Sequence, residues 1–376
     1  MGRWNLAALD VQTRASPLAP AVNLAAARVS YDWTPRLRLG GIFTRGDPEG
    51  LRENSLIGFD AVWRTSRFRG DKNLLIGGWA AFTRGEPNPD YPEGNRAGWG
   101  FKVDYPNDLV DCSATFFQVG EALDPLLGFL PRPGVWHSIN GCRLQPRPAR
   151  EGSWSWIRQY FLRGYYERVV NYKGQVESWR YQWSPLGVQF DTGDEFKVEW
   201  TPRYEFLPVP FEIVPGLVIP PGPYRFDQWE LDGQTSPQRA LQLITENTVG
   251  GFYSGRLAQW TGQLRWASPR GRLQVGMAGE YNRGRLREAD FLQRLWRLES
   301  TLAFNAYIVL TTLVQYDSES QNLGNNTRLR WTFRPGNDLF VVWNRGWQRL
   351  PQRPDEVIFA PTSETLAVKL RWTFRP

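Results

Sequence analysis

The sequence predicts an all-β chain folded as a transmembrane up-and-down antiparallel β-barrel of about 18 strands, within a range of roughly 16–20. Three observations predict it. Apolar and polar residues alternate with a period of two over most of the chain, aromatic residues gather at the ends of the alternating segments, and short links alternate with long ones.

The alternation is plainest in "LRWTFRP", which occurs at Leu329–Pro335 and again at Leu370–Pro376. In the second copy Leu366, Val368, Leu370, Trp372 and Phe374 fall on one face, and Thr365, Ala367, Lys369, Arg371 and Thr373 on the other. The first copy sets Leu329, Trp331 and Phe333 against Arg328, Arg330, Thr332 and Arg334. A period of two is that of a strand with one apolar and one polar face. Similar sets recur upstream, among them Ile57, Phe59, Ala61, Trp63; Trp99, Phe101, Val103, Tyr105; Phe196, Val198, Trp200; and Leu273, Val275, Met277, Tyr281. The aliphatic members, such as Leu298, Leu302 and Val275, are therefore expected on the outside of the sheet, with their polar neighbours turned inward.

Aromatic residues are 14% of the chain, with 19 Trp, 14 Tyr and 21 Phe. That load is large for a water-soluble core, because each buried indole N–H also needs a partner. Trp and Tyr at segment ends with aliphatics between them suit a strand that crosses a bilayer. A spanning helix is not indicated: no stretch of about 18 uncharged apolar residues occurs. The longest apolar run, Ile213–Tyr224, is broken by Pro215, Pro220, Pro221 and Pro223.

The links supply the third signal. "DWTPR", "DYPND", "ASPRG", "NA" and "RPGND" are short, whereas "TRGDPEGLREN", "TRGEPNPDYPEGN", "NRGRLREAD", "DSESQNLGNN" and "QRLPQRPDEVIFAPTSE" are long and polar. Short turns on one side and long loops on the other are the habit of outer-membrane barrels. The whole chain, 1–376, reads as one such domain. Its least regular parts are Pro202–Val249 and a proline-rich segment at about 121–152, which is expected to be a long loop folded into or over the barrel mouth.

Charge narrows the function classes. The balance is +7, with an isoelectric point near 9.5. The arginines are spread along strands and form no basic helix, finger or RNP-like motif, so nucleic acid is not an expected partner. Cys112 and Cys142 fit either a disulfide in an oxidising compartment or two free thiols. The opening "MGRWNLAALD" lacks a charged region followed by an apolar core, so an exported protein would have lost its leader.

Catalytic signals are sparse. His137 is the single histidine, and its neighbour Ser138 does not suggest a nucleophile pair. HExxH, paired CxxC, Walker and GxGxxG signatures are absent, so no cofactor or metal is expected. Acidic pairs such as Asp194 and Glu195 keep a glycosidase open, since that chemistry needs only two carboxylates. An enzyme is nevertheless the less favoured reading.

Cations on polar strand faces are the pore-lining candidates: Arg36, Arg38, Arg265, Arg272, Arg328, Arg330, Lys369 and Arg371. Asp60, Asp104, Glu195, Glu199 and Glu299 share that side, which favours a solvated lumen of mixed charge over an anion-selective or acidic-sugar channel. Arg132, His137, Arg143 and Arg147 are the candidates for a constriction within the long loop, and Trp136, Trp154 and Trp156 are candidates for stacking on sugar rings.

The stretch "NTRLRWTFRPGNDLFVVWNRGW", the closing "LAVKLRWTFRP", and the shorter "GDKNL", "LGFLPRPG" and "GGFYSG" resemble an uncharacterised C-terminal β-barrel domain. That domain occurs in bacterial proteins that begin with a family-9-type carbohydrate-binding module. The resemblance spans essentially the whole chain, and it implies an outer-membrane location and a signal peptide and sugar-binding module missing from this chain. It carries no catalytic residues. One departure is the terminus, where Arg375 and Pro376 follow Phe374, although many outer-membrane barrels end on Phe. The expected function is a conduit or membrane anchor linked to carbohydrate binding or uptake, with the bilayer as partner. The alternative is a secreted, soluble, β-rich carbohydrate-active protein.

Overall fold

The computed structural model describes residues 2–15, 20–86, 89, 91–350 and 358–373. Phe374, placed above on the apolar face of the last strand, lies outside them, as do Arg375 and Pro376. Among the described residues there is no helix. The strands are β1 (Trp4–Gln12), β2 (Asn23–Asp32), β3 (Leu37–Arg45), β4 (Asn54–Phe68), β5 (Lys72–Gly85), β6 (Ala97–Pro106), β7 (Val110–Val119), β8 (Val135–Leu144), β9 (Ile157–Asn171), β10 (Val176–Phe190) and β11 (Glu195–Leu207). A small hairpin follows, β12 (Phe211–Val214) with β13 (Leu217–Ile219). The series then continues as β14 (Gly222–Gln234), β15 (Leu241–Phe252), β16 (Gly255–Ala267), β17 (Leu273–Arg285), β18 (Asp290–Ala303), β19 (Ile308–Asp317), β20 (Asn322–Arg334), β21 (Asn337–Leu350) and β22 (Ile358–Arg371).

Twenty of these strands form one antiparallel sheet, and β12 and β13 stand apart. The connections are of the meander kind: β1 pairs with β2, β8 with β9, β14 with β15 and β21 with β22, each strand beside the next. The count is at the upper end of the expected range. Among the described residues the sheet is not closed, since β1 and β22 do not pair with each other; β1 is exposed along its whole length and β22 everywhere but at Phe359 and Ala360.

Two compact units divide the chain. The first comprises Met1–Pro146, Phe161–Trp183 and Pro202–Pro208, and the second Arg147–Tyr160, Ser184–Thr201 and Val209–Pro376. Each has a face of alternate apolar residues. In the second unit, register puts Leu243, Leu264, Met277, Leu298 and Val314 side by side across β15–β19. The first four of these are exposed, as are Leu366, Val368 and Leu370 on β22. Leu273, Val275 and Leu302 share this face but are half-buried between neighbours.

On β15–β18 and β22 polar residues of the other face, such as Arg265, Glu299 and Lys369, are exposed as well, but on β11 and β14 the polar residues are the better covered set. On β11 Glu199 and Thr201 are each 1% exposed, while Trp200 between them is 37% exposed. On β14 Gln228 is 4% exposed beside Trp229 at 46%. A water-soluble sheet hides the other face. The apolar core among the described residues is correspondingly small, with Val119, Leu123, Val135 and Val169 at its centre in the first unit.

Two sequence expectations need correction. The segment at 121–152 is not one long loop, because β8 runs through it, paired on both sides with β7 and β9. Two of the long polar links of the C-terminal half are shorter than they read, while the middle of the third, 351–357, lies outside the described residues. "NRGRLREAD" and "DSESQNLGNN" are mostly strand, leaving turns at 286–289 and 318–321 that match the short links at 268–272 and 304–307. Charged residues beyond an apolar stretch continue the ladder because their backbone groups still find cross-strand partners, as Arg285 does with Asp290. In the N-terminal half the contrast holds, with links at 46–53 and 86–96 against 69–71 and 107–109.

Cys112 and Cys142 are register partners on β7 and β8 and are joined by a disulfide across 30 positions. Replacing both with Ser should lower unfolding stability by about 3–4 kcal/mol, the chain-entropy value for a loop of that length. Urea unfolding of both forms measures it, and coincident midpoints would show that the bridge adds nothing.

Candidate functional site: the polar face and the strap across it

Alternation delivers acids and bases to one face, and register decides which of them meet. In the first unit Arg28 on β2 donates to Asp60 on β4 at 2.7 Å, across Gly40 on β3. A Cβ at Gly40 would lie 2.5 Å from the Asp60 carboxylate, so glycine there is what lets the pair close. Arg38 binds Asp32 at 2.7 Å, Lys102 binds Asp104 at 2.8 Å, and Arg143 binds Asp111 at 2.9 Å. On β8–β10 Glu167 is the hub. Its carboxylate accepts from Tyr165 at 3.0 Å and Arg180 at 2.8 Å and lies 2.9 Å from His137 Nε2.

The second unit repeats the theme with other residues. Lys197 Nζ lies 2.8 Å from Asp232, 3.4 Å from Glu230 and 3.5 Å from Glu199, whose carboxylate also accepts from Ser184 at 2.7 Å. Glu195 accepts from Gln189 and Gln234 at 2.6 and 2.7 Å. On β20–β22, Arg328, Arg330, Lys369 and Arg371 share a face with one acid, Asp338, which pairs with Arg371 and accepts from Thr332. Burying this many charges would be prohibitive unpaired, and pairing with residual water contact makes it tolerable.

Six of the eight pore-lining candidates therefore stand on polar strand faces. Arg38 is tied to Asp32, and Arg265 sits beside the Gln263 amide, whose oxygen accepts from it at 3.0 and 3.1 Å when oriented by its surroundings. Arg36 and Arg272 are corrections. Both lie in turns, Arg36 at 33–36 and Arg272 at 268–272, where the alternation has stopped.

The constriction candidates separate similarly. Arg132 lies in the link 120–134, but His137 and Arg143 are on β8, and Arg147 follows β8. The link itself is a strap. Asp124 takes a 2.8 Å ion pair from Arg52 and its carbonyl accepts from Asn54 at 2.9 Å. Ala122 N donates to Asn95 O at 3.0 Å. At the other end Arg132 donates to Ser178 at 2.9 Å and approaches Glu205 at 3.5 Å. Leu123 and Leu130 pack on Val119, Val135 and Val169 between these anchors. The strap thus reaches from the start of β4 to the start of β10 and the end of β11. The Arg52–Asp124 and Arg132–Ser178 contacts were not legible in the sequence; the pull of "LLGFLPRPGVW" toward burial was.

Of the tryptophans considered for sugar stacking, Trp154 and Trp156 stack on each other and Trp156 on Phe190, while Trp136 lies against Phe116. Their ring faces are partly used internally. Among the described residues no group of His, Cys, Asp and Glu is arranged to hold a metal ion. Comparison with known proteins finds no matching family model and no matching curated protein.

One acid outside the strands offers a pH probe. Asp194, in the turn after β10, accepts from the Ser236 N–H at 2.7 Å, from Arg239 at 2.5 and 3.1 Å, and from Thr192 at 2.8 Å. The Ser236 N–H, then Arg239 and Thr192, hold its carboxyl below the usual range. A depressed folded value means that the link is at full strength above the ordinary Asp value of about 3.9 and is lost as pH falls through the folded one. Hydrogen exchange at the Ser236 amide should be level from neutral pH down to about 4 after correction for intrinsic rates, and accelerate below it. Acceleration already near neutral pH would exclude Asp194 as the cause.

Proposed function

We propose that this chain is an outer-membrane β-barrel that acts as a conduit or membrane anchor, associated with carbohydrate binding or uptake. The observation that carries the reading is the cover of the two faces on β9–β11 and β14. There alternate apolar side chains such as Trp200 and Trp229 are exposed, and the charged ones opposite, such as Glu199 and Lys197, are paired and wholly or partly covered. Hydrocarbon is the solvent for which that arrangement is favourable, and in it a sheet must leave no edge unpaired. With twenty strands in a meander, the first and last run antiparallel, so β1 and β22 are able to close the sheet in a bilayer.

A second feature supports it. The register line Leu264–Met277–Leu298–Val314 continues to Asn325, Arg345 and Glu364 on β20–β22. The apolar stretch on those strands instead centres on Leu329, Val341 and Val368, which are themselves register partners. The apolar band therefore runs obliquely to the hydrogen-bond direction. Strands tilted by about 35–45° need such a band if it is to lie level in a membrane.

The polar face would line the lumen, with the strap at 120–134 as its constriction and the carbohydrate link resting on the family resemblance alone. Folding into vesicles tests the reading. Leu298→Arg and Asn325→Arg lie on one register line but at different depths. The first should cost about 2–4 kcal/mol and the second about 0–1. Equal costs, or a monodisperse chain without detergent, would favour the secreted β-rich alternative.

Conductance tests the strap. Releasing both anchors with Arg52→Ala and Arg132→Ala should raise single-channel conductance in planar bilayers while leaving the strands paired. Unchanged conductance would make the strap a surface feature.

A further inference from the structure

An open groove of about 720 Å³ in the second unit is lined by residues of β14–β17, among them Arg256, Arg283 and Arg285. Arg256 and Arg285 are direct register partners, and Arg283 stands opposite Ala258 in the next same-face pair. Like charges set directly opposite on a sheet repel. Asp290 is the register partner of Arg285 on the far side, on β18. Among the described residues, however, none of the three guanidinium groups closes an ion pair or hydrogen bond, in contrast to cations such as Arg28 and Lys197 on the polar face. Asp227, the one acid in the lining, accepts from Trp200 Nε1 at 3.4 Å, and the nearby Glu288 carboxylate accepts from Ser254.

The face is the informative part. Alternation along β16 puts Arg256 on the side of Ala258, Trp260 and Leu264, and along β17 Arg283 and Arg285 on the side of Met277 and Tyr281. The three arginines are thus on the apolar face, just beyond the end of the apolar band. Gly250, Gly251 and Gly255 leave the floor of the groove without side chains, and Trp229 and Val249 flank it on the band side.

We propose that this groove binds the phosphate-bearing headgroup of a membrane lipid, with the arginines on the phosphate and the acyl chains along Trp229, Val249 and Ala258. The proposal rests on the membrane reading above. Guanidinium forks match phosphate oxygens in geometry, and an anion shared among three of them offsets their mutual repulsion. A lipid fits better than a free anion because the cations adjoin an exposed apolar surface running away in one direction only. The paired cations of the polar face have no such neighbour.

The test uses the folded full chain in neutral-detergent micelles, titrated calorimetrically with diphosphoryl lipid A and, separately, with inorganic phosphate. Saturable lipid binding is expected, weakened about tenfold or more in Arg283→Gln/Arg285→Gln and unchanged in the control Arg270→Gln. Circular dichroism and heat-modifiable gel mobility establish that the variants fold. Equal lipid binding by wild type and the double variant overturns the inference, and so does phosphate binding as tightly as the lipid. The membrane reading is judged apart from it, by vesicle insertion of the wild type. A chain that inserts but binds lipid indifferently would lose only this site.

Discussion

The cross-strand register is the constraint on which the rest of this structure depends. Backbone groups that meet no water must meet one another, and an antiparallel ladder satisfies them while fixing which residues share a face. Over twenty strands a slip of one residue in any pair would send a run of Trp and Leu to the charged side and a run of Arg and Asp to the other. The exposed apolar band, the ion pairs and the strap's landing points all follow from that registration. Gly40 shows how local the requirement is, since its missing Cβ is what admits Arg28 to Asp60.

The charged face is organised as neighbouring pairs rather than as a field of one sign. Asp32 with Arg38, Lys102 with Asp104 and Arg143 with Asp111 each close within one strand or between adjacent ones. Such pairs contribute little each when water reaches them, and their greater effect is on what the wall attracts. The patch on β20–β22 departs from this, because Arg328, Arg330, Lys369 and Arg371 have only Asp338 among them.

Much of the fold was legible because the strands that dominate it have a clean period of two. β22 and β20 announce both faces in "LAVKLRW" and "TRLRWTF", and β16–β18 do nearly as well. β8 was illegible for a physical reason. Its sequence "VWHSINGCRL" puts Trp136, Ser138, Asn140 and Cys142 on one face and Val135, His137, Ile139 and Arg143 on the other, so neither is apolar throughout. Val135 is apolar on the charged side because Leu123 and Leu130 of the strap pack there. A tertiary contact had overwritten the local pattern. The charged pairs were half legible: Asp60, Glu199 and the strand arginines were recognisable as one side, but partners such as Arg28 and Lys197 depend on registers that a sequence does not print.

The bridge between Cys112 and Cys142 has a consequence for how the chain reaches this state. Both cysteines are on the same face of neighbouring strands, directly across from each other. Shifting β8 by one residue would turn Cys142 to the opposite side of the sheet, out of reach of Cys112. Oxidation therefore works as a proofreading step: it seals β7 to β8 only once their alignment is correct. The strand it certifies is the one whose own residue pattern says least about where it belongs.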